Sequence, residues 1–390
     1  MRSSRLPPDL TANAIARAVE VRRASNRDLI DLTESNPTRV GLSYPPDLLA
    51  PLADPSGLTY DPQPLGLMSA RQAVAREWLR HGRTVRPDRV ALTSSTSEAY
   101  ALLFKLFCDP GDQVLVPHPS YPLFDHLTRL EAVVAAPYAL DYHGAWRIDL
   151  ASVEGSVNPQ TRALLVVSPN NPTGSFLHRE DLHALVGICR RHDLALIGDE
   201  VFFDYRLGSA PDAVSVLDQD EVVTCALGGM SKSCGLPQAK LGWIAWGGPD
   251  APLKETIAAY EIIADSYLSV STPILVAAPA VFARAGEVRD QLQTRIARNL
   301  QSLTDACGRW PAATMLRTEG GWSAVVQVPA VRPEEDLVVT LVTEDGVLVN
   351  PGFFFDFPRE AFLVLSLIVE PGGFDLGVAR LLARACGSAG

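Results

Sequence analysis

Between residues 90 and 250 the chain alternates short, wholly apolar runs with longer stretches whose apolar positions recur every three or four residues. The runs are "RVALT" (89–93), "QVLVP" (113–117), "AVVAA" (132–136), "ALLVVSP" (163–169), "LALIGDE" (194–200), "VVTCAL" (222–227) and "LGWIAW" (241–246). Their lengths, and the Gly, Pro and polar residues around them, predict strands buried on both faces. Of the intervals, "SEAYALLFKLFC" and "REDLHALVGICRRHD" predict helices. In the second, Leu182, Leu185 and Val186 share a face, while Arg190 and Arg191 suit the negative C-terminal end. Doubly buried strands alternating with helices predict an α/β fold: a mostly parallel central sheet flanked by helices, with right-handed crossovers. Ligands gather at the carboxyl ends of strands in such sheets.

After about residue 275 the pattern changes. "ARAGEVRDQLQTRIARNLQSLTDACG" predicts a long charged helix, "WSAVVQVP", "GVLVNPG" and "AFLVLSLIVE" predict short strands, and "DLGVARLLARAC" predicts a closing helix. These elements imply a smaller α+β domain, joined by an N-terminal helix predicted around residues 9–24.

Charge narrows the function. The formal net charge is −11 and no Lys/Arg block interrupts it, which opposes binding to nucleic acid or to an acidic membrane and favours small-molecule chemistry. No stretch nears the roughly 18 uncharged apolar residues of a membrane span, and the first residues lack the apolar middle of a secretory signal, so a cytoplasmic protein is expected. The six cysteines form no CxxC pair and predict reduced, buried thiols; the seven histidines show no metal-ligand spacing, and no metal is expected.

Four polar clusters lie at or just after predicted strand ends. In "LTSSTSEAY", Ser94, Ser95, Thr96 and Ser97 offer hydroxyls and backbone N–H groups at a helix N-terminus, fit either for a phosphate or for a plain helix cap with Glu98 in the first turn. "SPNNPTG" (168–174) makes a good turn, or a rigid mount that aims an asparagine amide at a ligand. In "LALIGDEVFFDY", Asp199 ends a strand too apolar for a lone carboxylate; its partner is a cation of the protein or the ring nitrogen of a cofactor. In "GGMSKSCGLPQAKLGW", Lys232 follows a path of small residues and reads as a surface lysine or as a desolvated, nucleophilic amine.

In this order and spacing the four clusters, with "PSYPLF" (119–124) and "VNPGFFF" (349–355), resemble the class I and II aminotransferases, fold type I enzymes that use pyridoxal 5'-phosphate (PLP). The resemblance runs from about residue 30 to the C-terminus. It implies that Lys232 carries the cofactor as a Schiff base, Asp199 pairs with the ring nitrogen, Asn171 bonds the ring hydroxyl and Tyr121 stacks on the ring. Ser95, Thr96, Ser97 and Ser231 would hold the phosphate, joined by Tyr60, in "LTYDPQPLG", lent by a second subunit of a homodimer. The implied domains are residues 1–45, an N-terminal segment that contributes to the small domain and covers the active site; 46–275, the large PLP-binding domain; and 276–390, the small domain.

Three positions depart from the family pattern. Lys240 stands where an arginine grips the phosphate, keeping the charge without the two-pronged geometry. Phe202 replaces a tyrosine that donates to the ring oxygen. Val364 replaces the arginine that forks onto the substrate α-carboxylate, and a buried carboxylate without a partner is costly. Asn36 and Arg39, in "SNPTRVGL", lie on the segment that passes over the site in the family, and are candidates to hold the substrate. Transamination of an amino acid with a 2-oxo acid, by a ping-pong cycle, is the first expectation. A PLP-dependent lyase, cyclase or oxidase of an amino acid is the second, and a non-catalytic PLP-binding module the third.

Overall fold

The computed structural model describes residues 3–7, 9–208 and 212–387. Its centre is an eight-stranded sheet built from β1 (Val90–Thr93), β2 (Gln113–His118), β3 (Val134–Tyr142), β4 (Trp146–Ile148), β5 (Thr161–Val167), β6 (Ala195–Asp199), β7 (Thr224–Gly229) and β8 (Gly242–Gly247). The spatial order is β1-β8-β7-β6-β5-β2-β3-β4. The run from β7 through β6, β5 and β2 to β3 is parallel; β8 is antiparallel to both its neighbours, and β4 to β3.

Alternation within the apolar runs serves two cores at once. Leu164, Leu196 and Ala226 face one layer and Leu165, Ile197 and Cys225 the other. Burying each leucine or isoleucine contributes about 1.5–3 kcal/mol, which is why these strands tolerate almost no polar residue before their ends.

Several element boundaries differ from the sequence expectation. The N-terminal helix is Ala14–Ala24, not 9–24: Asn13 caps it by accepting from Ala16 N at 2.8 Å, while Asp9 closes a separate turn on Thr11 N. The strand expected at 132–136 begins at Val134 and continues to Tyr142, because parallel pairing with β2 carries it to Ala139 and antiparallel pairing with β4 carries it on to Tyr142. The strand expected at 222–227 is β7, Thr224–Gly229, so Gly228 and Gly229 are strand residues rather than an open path. They are glycine for lack of space: a Cβ on Gly228 would overlap the Trp243 indole. "GVLVNPG" divides into Val347–Leu348, paired in parallel with Ile30–Asp31, and Asn350–Pro351. The division expected between residues 275 and 276 falls inside the continuous helix Thr272–Arg284.

The second sheet has four antiparallel strands, β9 (Thr314–Met315), β10 (Ser323–Gln327), β11 (Asn350–Pro351) and β12 (Phe362–Ser366), in the order β9-β10-β12-β11. The helices Gly286–Gly308 and Pro371–Cys386 pack on each other in this region. The approach to β10, from Thr318 to Trp322, runs between two loops of the large sheet. Glu319 N donates to Gly174 O at 3.0 Å, Leu207 N to Glu319 O at 2.8 Å and Gly321 N to Tyr205 O at 2.8 Å. The buried Glu319 side chain accepts from Phe176 N at 3.2 Å and lies 3.0 Å from His178 Nε2.

Candidate active site

The carboxyl ends of three parallel strands coincide, with Val167 beside Asp199 and Asp199 beside Leu227. The chemically distinctive residues sit at or just beyond this line, where ladder hydrogen bonding ends and side chains can turn toward a ligand.

Asp199 is buried. Tyr100 Oη donates to its Oδ2 at 2.7 Å and Val201 N to its Oδ1 at 3.2 Å. Burial pushes the carboxyl above its ordinary value, against the opposing pull of Tyr100, Val201 N and the Lys232 charge. A cation brought to Asp199 therefore gains a carboxylate that is already oriented but under-compensated.

β7 ends at Gly229 and passes into the single turn Met230–Ser233, which carries Ser231 and Lys232. The Lys232 Nζ lies 4.7 Å from the centre of the Trp322 ring and 5.3 Å from that of Phe202. Burial lowers the amine to about 8, with the attraction of Asp199 working the other way. More of it is unprotonated near neutrality than in an ordinary lysine, which suits a nucleophile. Three side chains fix the backbone here: Tyr205 Oη donates to Lys232 O at 2.6 Å, Arg289 Nη1 to Ser233 O at 3.1 Å and Tyr44 Oη to Gly235 O at 2.7 Å.

The helix Thr96–Phe107 starts against this turn. Ser95 Oγ caps it by accepting from Glu98 N at 3.1 Å, and Glu98 Oε2 accepts from Ser94 N at 2.6 Å. Gly229 and Gly242, which face each other across β7 and β8, make the approach possible. A Cβ on Gly242 would lie 2.9 Å from Ser95 C and 3.0 Å from Thr96 N, and one on Gly229 3.8 Å from Thr96 Cγ2. The first-turn N–H groups of Thr96 and Ser97 have no partner within the helix, so an anion at this end would meet donors and the positive end of the dipole.

Asn171 Oδ1 accepts from Ser323 Oγ at 3.2 Å, joining the "SPNNPTG" loop to β10. Next to it, Asn170 Nδ2 donates to Pro119 O at 3.3 Å, which ties in the loop that carries Tyr121. Tyr121 is 44% exposed, and its phenol is pushed up by burial and by the Asp199 charge.

Asp199, Lys232, Phe202 and Tyr121 thus form one neighbourhood, flanked by Asn171 and by Ser95 and Thr96. The remaining candidates lie apart from these contacts. Lys240 is exposed and ends the turn Pro237–Ala239 in the left-handed region, φ +53°. Asn36 spends its Oδ1 on Thr38 N and Thr38 Oγ1, at 3.0 and 2.8 Å. Arg39 is exposed and makes no ion pair among the described residues. Tyr60 is 73% exposed, in a groove shared with Tyr267. Val364 is buried on β12 between Val325 of β10 and Asn350 of β11.

Three residues of the site were not singled out from the sequence: Tyr100, Tyr205 and Trp322. Tyr100 carried a signal, lying four positions after Thr96 and so on the same helix face, where it reaches Asp199. Trp322 and Tyr205 carried none, because their neighbours are remote in the chain.

This donor set fits PLP in each of its parts. The helix end, brought against the Lys232 turn by the close approach at Gly242, offers donors to a phosphate. Asp199 offers a carboxylate to a protonated ring nitrogen, Asn171 an amide to a ring hydroxyl, and Lys232 an amine to an aldehyde.

Comparison with known proteins places the chain among such enzymes. Residues 28–367 match the family Aminotransferase class I and II. The alanine aminotransferase of Mycobacterium tuberculosis is 26% identical over 371 residues, covering 91% of this chain and 85% of that protein. Glutamate-pyruvate aminotransferase AlaA of Escherichia coli is 23% identical over 369 residues, covering 92% and 91%. Among solved structures, alanine aminotransferase from Pyrococcus furiosus superposes with a TM-score of 0.88 at 21% identity, over 97% of this chain and 98% of that one. A mutant of Thermus thermophilus aspartate aminotransferase gives 0.84 at 24% identity, over 98% and 100%.

Proposed function

Because this chain belongs to the class I and II aminotransferases, and is therefore a PLP-dependent enzyme that moves amino groups between amino acids and 2-oxo acids, we propose that Lys232 is its cofactor anchor and Asp199 the residue that holds the ring-nitrogen proton. The observation that carries this reading is the placement of buried Asp199 at the end of β6 and half-buried Lys232 in the turn that leaves the neighbouring β7, where the carboxylate attracts an amine lowered to about 8.

The bound cofactor supplies an electron sink for the bond broken at the substrate Cα. Asp199, oriented by Tyr100 and Val201 N, would keep the ring nitrogen protonated. Ser95, Thr96, Ser97 and Ser231 would hold the phosphate through hydroxyls and helix-end N–H groups, with charge from Lys240. Asn171 would bond the ring hydroxyl, Tyr121 would stack on the ring with Phe202 at its edge, and Lys232 Nζ, as a free amine, would take the proton from the substrate Cα.

The named relatives point to alanine or glutamate as the amino donor. Val364 offers no charge to the donor's carboxylate, and Arg39, exposed and unpaired among the described residues, takes that role in our reading, with Asn36 beside it. A homodimer follows from the same reading. Tyr60 and Leu58, 73% and 90% exposed, would lie against a second copy, which would place Tyr60 at the partner's phosphate. Six unpaired cysteines suit the cytoplasm.

Borohydride reduction of the yellow holoenzyme, followed by peptide mass analysis, tests the anchor. The added cofactor mass is expected on the peptide containing Lys232, and its appearance on Lys105, Lys240 or Lys254 would reject the assignment. Addition of L-alanine or L-glutamate should convert the bound cofactor to its pyridoxamine form without releasing ammonia. Ammonia without pyridoxamine would instead indicate a lyase or oxidase.

A further inference from the structure

Lys232 Nζ lies over two aromatic faces, Trp322 at 4.7 Å and Phe202 at 5.3 Å. The two rings meet edge to face, 5.4 Å between centres and 63° between planes. Trp322 is held independently of the lysine. Its ring packs against Tyr205 at 5.2 Å and 68°, and its carbonyl accepts from Leu367 N at 2.7 Å. The indole N–H is buried without a partner, so packing rather than a hydrogen bond sets the ring's orientation. Tyr205, in turn, donates to the Lys232 carbonyl at 2.6 Å. The lysine backbone, Tyr205, Trp322 and the lysine amine therefore close into a ring of contacts that uses none of the groups assigned to the cofactor's phosphate, hydroxyl or ring nitrogen.

We propose that Phe202 and Trp322 form an aromatic clamp that receives the ammonium of Lys232 when Nζ is not bonded to the cofactor and carries a proton, either in the cofactor-free chain or after it has taken the proton from the substrate Cα. The proposal rests on the assignment of Lys232 as the anchor. An ammonium over a ring face is attracted by the ring's negative centre, and most strongly by an indole. Burial alone favours the neutral amine; the two rings, together with the attraction of Asp199, offset part of that cost. A lysine side chain has four rotatable bonds, and a released amine that roamed among its rotamers would seldom face the substrate Cα. The clamp restricts it to one position, within the attraction of the Asp199 carboxylate. Phe202 suits this role because its face, not a hydroxyl, is turned to the amine. Phe202 and Trp322 are positioning residues in this scheme.

The chain has only four lysines, Lys105, Lys232, Lys240 and Lys254, so the amine can be followed directly. The full chain, labelled with 13C-lysine and freed of cofactor, is titrated by NMR, with the Lys232 signal assigned by its loss in Lys232→Arg. Trp322→Leu keeps apolar cover over the amine but removes the ring face, and the Lys232 titration should move to lower pH by roughly half to one unit. Phe202→Leu should move it the same way by less, and decides the matter if Trp322→Leu does not fold. An unchanged titration, or a shift upward toward ordinary lysine, would show that the rings only exclude water and would overturn the clamp. Failure of the anchor assignment would appear separately, as reduced cofactor on another lysine.

Discussion

Tyr100 and Asp199 meet at 2.7 Å although 99 positions separate them. One comes from the helix whose first turn is the proposed phosphate site, the other from the strand end proposed to meet the ring nitrogen, so in that reading a single hydrogen bond links the two halves of the cofactor site. Removing it with Tyr100→Phe takes away a donor that favours the charged carboxylate. Hydrogen bonds to charged groups contribute about 1.5–3 kcal/mol, so kcat for an amino donor should fall roughly 10- to 100-fold. Steady-state kinetics would check this, and an unchanged kcat would show that Val201 N alone suffices.

Phe202→Tyr restores a phenol near the place where the resemblance puts the ring oxygen. A donor there favours the deprotonated oxygen. The pH at which the bound cofactor changes absorbance should therefore move down relative to wild type, and a spectrophotometric titration that gives identical midpoints would refute the assignment of residue 202 to that edge of the ring.

Arg39→Ala tests the substrate's carboxylate partner. The expected result is a KM for the amino acid raised 10-fold or more, in line with the cost of leaving a charge unpaired, while absorbance and cofactor retention stay as in wild type. Unchanged turnover would remove Arg39 from the site.

At Gly242 the new methyl of Gly242→Ala would lie 2.9–3.0 Å from Ser95 C and Thr96 N, tighter than real Cβ contacts allow. The helix start must retreat, and PLP affinity should weaken at least 10-fold by equilibrium dialysis while far-ultraviolet circular dichroism is retained. Undiminished affinity would mean that the phosphate does not depend on this approach.

Glu200 shows the opposite linkage from an ordinary surface acid. Burial raises its carboxyl to about 7, against the opposing hydrogen bonds from Val216 N and Ser215 Oγ at 2.8 Å each. A raised folded-state value means that the unfolded chain gives up this proton first, so stability is lost as pH rises from about 4.5 toward 7. Melting temperatures of Glu200→Gln across that window should show a flatter slope than wild type; equal slopes would indicate that Glu200 titrates normally.

How much of this was legible in the chain depended on the range of the interaction. Asp199 could be found because a charge at the end of an apolar run is conspicuous against burial costs, whereas Lys232 alone read as a surface lysine or a nucleophile and was singled out by the family resemblance of the four clusters. The direction of β8 could not be found, because "LGWIAW" is equally apolar read either way, and its antiparallel placement is set by pairing with β1 and β7. The strand expected at 132–136 was misplaced for a similar reason: Ala132, at φ +60°, and Val133, bonded to Thr128 O, still belong to the turn after the helix Leu123–Leu130, and the length of β3 is set by backbone pairing that periodicity does not report. Trp322 and Tyr205 are separated from each other by more than a hundred residues, and only the passage of Thr318–Trp322 between two loops of the large sheet brings them to the lysine.

That passage has a mechanical consequence. Glu319 is bonded through N–H, carbonyl and carboxylate to the loops at 174–178 and 207. On the other side, the helix Gly286–Gly308 reaches the turn of Lys232 through Arg289 Nη1 and Ser233 O, and Ser120 N donates to Phe355 O beyond β11. The four-stranded sheet and its helix are thus fastened to the large sheet at several points around the lysine. A displacement of that helix would therefore be passed to the backbone that carries the amine, not lost at a distant edge.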